Sequence, residues 1–207
     1  MSIAAAVYGQ FRRPHGYLGR LAGWIMAHRE SNRQRNAWTV GLLDLQPDDR
    51  FLEIGFGPGL SLELTARTIT AGRIVGIDHS DTMRHAALRR NADAVRIGRM
   101  DLLTGGLERL TAFDGAFTKV MSANVVQFWE DGAAAFRGIA ATMAPGGTCA
   151  TTYMPRHRGA TAQDAEAMAE RVSAWMAGAG FGEIVVHRLP LVPMPAICVT
   201  GTKRRVP

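Results

Sequence analysis

The stretch FLEIGFGPGL, residues 51–60, brings an apolar run to an acid, Glu53, and then sets glycines at every second position, Gly55, Gly57 and Gly59. Glycine lets a backbone take positive φ and removes the β-carbon that would hold a ligand away. A turn built this way between a strand and a helix suits close contact with a ligand. A dinucleotide is the first candidate, because its fingerprint is G-x-G-x-x-G with the third glycine packing helix on strand. Here that third position is Leu60, the glycine stands one residue early at Gly59, and Pro58 intervenes. Glu53 also argues against a dinucleotide: its carboxylate would face a pyrophosphate across a poorly solvated crevice.

An acid in this place suits a ligand that carries positive charge. S-adenosylmethionine has an ammonium, a sulfonium and no phosphate, while its ribose hydroxyls still need an acceptor. IVGIDHS supplies one at Asp78, at the end of the next strand. GRMDLL, read as the end of the third strand, supplies Asp101 for the adenine amino group.

These residues must be positioned by elements that alternate along the chain. RFLEI (50–54), RIVGID (73–78), AVRIG (94–98), GAFTKVM (115–121) and GTCATTY (147–153) read as strands. Helical periods occupy 60–69, 81–91 with Asp81 as N-cap, and about 132–143. Such alternation implies a parallel sheet covered on both faces, since parallel neighbours need crossovers and a helix is the usual one. A helix at about 161–178 and two strands, 182–188 and 196–202, close the chain. The proline-rich LPLVPMPA between those strands is too short for a helical crossover, so the pair is expected to be antiparallel. Upstream, the spacing of Tyr17, Leu21, Trp24, Ile25 and His28 predicts one helix. SNRQ, with the form of a capping box, predicts the start of another near Ser31 that runs through Trp38 and Leu42 to Leu45.

Taken in order, LEIGFGPG, VGID, RMDLL, FDGAFTKVMSANVVQFWED and MAPGGTCATTY resemble the successive motifs of class I S-adenosylmethionine-dependent methyltransferases, over about residues 48–153. They are most similar to the small-molecule branch of ubiquinone/menaquinone or phospholipid type. ICVTGTK resembles the family's last, antiparallel strand. The resemblance implies an α/β, Rossmann-like, doubly wound seven-stranded sheet, mostly parallel with the last strand antiparallel, here with an N-terminal helical extension. It implies S-adenosylmethionine as cofactor, held at Glu53 and the loop of Gly55, Phe56, Gly57, Pro58 and Gly59. Further contacts are implied at Asp78 and His79, at Met100, Asp101 and Leu102, and around Asn124. GRMDLLTGG departs from the family's more usual Gly-Asp pair, so Asp101 also reads as a helix cap or a solvated loop residue. Asn124 also reads as a turn residue, and Asp78 as a surface acid.

Methyl transfer from a sulfonium is an in-line displacement in which the protein aligns the reactants and excludes water. A general base is needed only where the nucleophile arrives protonated. His15, Tyr17, His28, Tyr153 and His157 are the candidates, each with a plainer role: His28 as a core histidine, Tyr153 as packing, His157 as a solvated loop residue. Tyr17, Trp24, Phe128 and Trp129 either line an aromatic acceptor pocket or fill the core. Methylation of nucleic acid is the rival chemistry, and the expectation is against it. Amino-methylating base modifiers resemble one another in an Asn/Asp-Pro-Pro-aromatic signature after the fourth strand, whereas this chain reads SANVVQ there. A non-catalytic S-adenosylmethionine-binding protein is the third reading, because fold does not fix function.

The 207 residues fit one domain with an extension. We divide it at 1–45, a helical extension and candidate lid, and 46–207, the methyltransferase domain. Only about seven residues separate the fifth strand from the following helix, which leaves the extension as the available cover. A composition 47% apolar and 20% charged describes a folded globular chain, and no apolar run approaches a membrane span. MSIAAAVYGQ lacks a basic leader before its apolar patch, so a cytoplasmic location is expected. Cys149 and Cys198 lie in strand-like runs and read as buried thiols, and without Cys/His spacing no metal site is expected. Of the net charge of +6, most falls in residues 1–43, where Arg12, Arg13, Arg20, Arg29, Arg33 and Arg35 oppose only Glu30. That charge either steers an anion or forms a solvated face.

Overall fold

The computed structural model describes residues 30–113 and 116–205. The helix expected from Tyr17 to His28 lies outside the described residues, as do His15, Tyr17, Trp24 and His28 themselves.

The elements follow the order α1 (Glu30–Gly41), β1 (Arg50–Ile54), α2 (Leu60–Thr68), β2 (Arg73–Asp78), α3 (Asp81–Arg90), α4 (Ala92–Arg96), β3 (Met100–Thr104), β4 (Phe117–Ala123), α5 (Gly132–Thr142), β5 (Met143–Tyr153), α6 (Ala162–Gly178), β6 (Phe181–Leu189) and β7 (Ala196–Lys203). Seven strands form one sheet in the order β3-β2-β1-β4-β5-β7-β6. β1 to β5 are mutually parallel, and β7 runs antiparallel to both β5 and β6. The order reverses between β1 and β4, and at such a switch point the carboxyl ends of the strands open a crevice.

Alternation along the central strands divides the core into two layers. Leu52 and Ile54 of β1, with Val75 and Ile77 of β2, face Phe136 and Ile139 of α5 and Met168 and Val172 of α6. Phe51, Ile74 and Met121 face the opposite layer, with Leu62 of α2 and Ala87 of α3. Buried on both faces, β1 is buried at four of its five positions, the acid Glu53 among them, and the exception, Arg50, stands at its exposed start.

Three expectations need correction. The third strand is Met100–Thr104, while 92–96 is the short helix α4. The reason is burial: Met100 and Leu102 alternate into the core, whereas Ile97 is 58% exposed and Gly98 turns the chain with φ +72°. Ser80, not Asp81, caps α3, its hydroxyl accepting from the Met83 amide. Finally, α1 is already helical at Glu30, so Ser31 lies inside it and not at its N-cap.

Candidate functional site

The glycine loop closes β1 into α2, and its three glycines have different surroundings. A β-carbon on Gly55 would collide with Val125, and one on Gly59 would collide with Asn91 and Ala87. These two glycines let protein pack on protein. Gly57, with φ +52°, would meet nothing within 4 Å and opens onto a cavity of about 240 Å³. Its amide donates to Asp78 Oδ2 at 2.8 Å, and the Ser80 amide donates to Oδ1 at 2.9 Å. Thus the ends of β1 and β2 are tied together by the carboxylate that faces the crevice. Burial holds the Asp78 carboxyl above its usual range, against those two amide donors.

Glu53 is 2% exposed and forms part of the cavity wall. Ser61 of α2 donates a short hydrogen bond to Oε1, and Oε2 is buried without a hydrogen-bond partner among the described residues. Burial pushes this carboxyl up to about 7; Asp78 adds to the effect, while Ser61 and Arg35 oppose it. A buried acceptor left open costs free energy unless something satisfies it.

Helix α1 covers this acid in an unusual way, because its buried residues are all polar: Asn32, Arg35, Asn36 and Thr39. Their i, i+3, i+4, i+7 spacing makes one face. The Thr39 hydroxyl shares a hydrogen bond of 2.7 Å with Thr152 of β5, which fixes the helix on the sheet. Arg35 is 6% exposed; its Nη1 donates to Asn32 Oδ1 at 3.2 Å and its buried Nε has no partner among the described residues. Burial, then the nearby Arg156 guanidinium, lower its pKa to about 9 against the pull of Glu53, so it stays charged at neutral pH. At the end of β4, Asn124 has φ +56° and bonds the Met154 backbone twice, accepting from its amide at 2.7 Å and donating to its carbonyl at 3.1 Å. An adjoining cavity of about 1090 Å³ shares Gly55, Asp78 and Val125 and extends to Gly105 and Gly106 beyond β3.

A family model described as a methyltransferase domain matches residues 52–151. The uncharacterized methyltransferase YdaC of Bacillus subtilis is 30% identical over 183 residues, which cover 88% of this chain and 98% of that protein. The chain belongs to the class I methyltransferase family. Solved structures agree on the fold. A SAM-dependent methyltransferase from Aquifex aeolicus superposes with a TM-score of 0.70 at 13% identity, covering 87% of this chain and 96% of that one. A phosphoethanolamine N-methyltransferase of Haemonchus contortus, in complex with S-adenosylhomocysteine, gives 0.70 at 15% identity over 96% of this chain and 58% of that one.

As a class I methyltransferase, the protein takes S-adenosylmethionine as its cofactor. The residues present fit that group on two structural grounds. Glu53 offers an open buried oxygen to an ammonium, and Gly57 leaves space where any other side chain would intrude. Of the residues expected from sequence, the methyltransferase gathers Glu53, Gly55, Phe56, Gly57, Pro58, Asp78, His79 and Asn124 around the smaller cavity. Gly59 packs behind the loop. Met100, Asp101 and Leu102 are not brought there, which corrects the expected adenine contact. Met100 and Leu102 are core residues, and Asp101 stands opposite Val75, partway along β3, paired with Arg73. The carboxyl end of that strand is Thr104, followed by Gly105 and Gly106, whose amide is held by Glu108 Oε1 at 2.7 Å. Tyr153 is buried on the cavity wall, and the exposed His157 lies at its rim 3.7 Å from Asp164. Trp129 packs edge-on against Phe136, whereas Phe128 borders both cavities. Sequence reasoning missed Arg156, Ser61 and Val125, and took Arg35 only as one of the extension's basic charges. The legible signal for Arg35 was the polar i, i+3, i+4, i+7 set, which runs against the apolar face a surface helix usually buries. Among the described residues, no cluster of three metal-ligating side chains occurs and no helix is long and apolar enough to cross a membrane.

Proposed function

We propose that this methyltransferase moves the methyl group of S-adenosylmethionine to a small-molecule acceptor by in-line displacement, in the manner of the ubiquinone/menaquinone- or phospholipid-type branch. The observation that carries the reading is the open Oε2 of Glu53, buried on the wall of the cavity that Gly57 also lines, at the switch point of the sheet. S-adenosylmethionine supplies a methyl group already activated on a sulfonium. Glu53 receives the ammonium of its methionine part. Asp78, pinned by two backbone amides, keeps lone pairs for the ribose hydroxyls. Asn124 sets the floor by joining the ends of β4 and β5, and Tyr153 with Phe128 walls the acceptor side and excludes water. Residues 1–45 are the lid over 46–207, with α1 as its described part. His157 at the rim and Tyr153 within are the described candidates for a base where the acceptor arrives protonated. A labelled-methyl screen of quinones, phenols, amines, fatty acids and phospholipids tests the reading: transfer to at least one soluble or lipid acceptor is expected. Tight S-adenosylhomocysteine binding with no transfer across that panel would replace it with a non-catalytic binding protein.

A further inference from the structure

The cavity wall sets as many guanidiniums as carboxylates around the cofactor, so it leaves the cofactor's own net positive charge unbalanced. Its carboxylates, among the described residues, are Glu53 and Asp78, and its guanidiniums are Arg35 and Arg156. S-adenosylmethionine at neutral pH adds a sulfonium and an ammonium against one carboxylate. With it in place, even a fully ionised Glu53 leaves one positive charge in excess in a space walled by protein. Excess charge of one sign in a poorly solvated cavity is costly and draws a counter-charge.

Arg35 also differs from the solvated arginines elsewhere on the surface. Arg35 is buried on the polar face of α1 with its Nε open. Arg156 leaves the end of β5 at the exposed rim, where its Nη2 donates to Ser31 of α1 at 3.3 Å. Both line the one cavity, and Ser31, which Arg156 meets, stands one helical turn before Arg35 on α1. Like charges brought together from two separate elements, with the amides of Asn32 and Asn36 beside them, make an oxyanion cradle, since planar guanidiniums match carboxylate and phosphate oxygens.

We propose that Arg35 and Arg156 form an anion subsite beside the methyl donor, and that the acceptor is a small molecule carrying a carboxylate or phosphate that docks there. This rests on the methyl-donor reading of the same cavity. The acid group would anchor the acceptor at the rim and place its nucleophilic atom inward, toward the sulfonium.

Calorimetric titration of the full chain tests this with benzoate and inorganic phosphate as probes and benzamide as the uncharged control. The protein is first saturated either with S-adenosylhomocysteine or with sinefungin, whose amine puts a cation where the sulfonium stands. Both anions should bind, benzamide at least tenfold more weakly, and the anions more tightly on the sinefungin complex. Arg156→Gln, at an exposed position, should weaken the anions at least fivefold while S-adenosylhomocysteine affinity stays within threefold. Equal binding of benzoate and benzamide to the unaltered protein would overturn the proposal. So would anions that displace S-adenosylhomocysteine, because the guanidiniums would then serve the donor's own carboxylate. Failure of both nucleosides to bind would remove the methyl-donor reading instead, and anion titration of the ligand-free protein and of Arg156→Gln would still decide the subsite.

Discussion

Glu53 has its ordinary carboxylate behaviour displaced by burial, to about 7, and this gives two measurable consequences at the scale of one residue. A cationic ligand needs the ionised form, so S-adenosylhomocysteine affinity should rise roughly tenfold from pH 6 to pH 8 in the protein as it stands. Calorimetry on Glu53→Gln should show weaker binding and no such rise. Stability runs the other way. The folded chain holds this proton more tightly than the unfolded chain, so stability is greatest below the ordinary carboxylate range and falls as pH rises through 7. The loss is about 3 kcal/mol for a shift of this size. Melting curves across pH 5 to 8 should therefore show Glu53→Gln gaining on the parent protein as pH rises. At Asp78, substitution by alanine should weaken S-adenosylhomocysteine by ~1–3 kcal/mol, through unpaired ribose hydroxyls and the freed amides of Gly57 and Ser80. Asp101→Ala should leave that affinity unchanged, because the side chain is occupied with Arg73 partway along β3. Equal losses at the two positions would reinstate Asp101 as a cofactor contact.

Among the elements, β4 and β5 are joined at the crevice through Asn124 and Met154. Asn124 takes a left-handed backbone conformation and spends both ends of its amide on Met154. Asn124→Ala removes both hydrogen bonds and leaves the strained φ, so denaturant unfolding should report a loss of ~2 kcal/mol. Asn124→Gly, which relieves the φ, should lose less. The loop after β1 is sensitive for a different reason. Gly59→Ala would add a β-carbon 2.7 Å from Asn91 and 2.8 Å from Ala87 at φ +81°, and should destabilise α2 against α3 by ~1–3 kcal/mol. The central strands were readable from sequence because continuous apolar runs bounded by turns suit a parallel sheet buried on both faces. The third strand was not. AVRIG and MDLLT are both short, and only pairing with β2 decides which of them alternates into the core. Locating that strand wrongly is what put Asp101 near the adenine.

For the whole molecule, the polar buried face of α1 ties the extension to the sheet directly above the candidate cavity. If residues 1–45 act as the lid, a chain lacking residues 1–28 should fail to turn over any acceptor found, while S-adenosylhomocysteine affinity stays within roughly a few-fold. Full activity of the shortened chain would end the lid assignment. By itself the sequence determined the alternating α/β order, the reversed last strand, the glycine loop and the two acids, Glu53 and Asp78. Each is written in local terms: a hydrophobic period, a residue that permits positive φ, or a charge at the end of an apolar run. Only the tertiary structure decided that Gly57 opens to the cavity while Gly55 and Gly59 pack on protein. It alone also brought Arg35, 18 positions before Glu53, and Arg156, more than a hundred after it, to one wall. Spacing along a chain fixes which face of an element a side chain occupies, but what that face meets depends on the order of strands in the sheet, and that order is settled by contacts between distant residues.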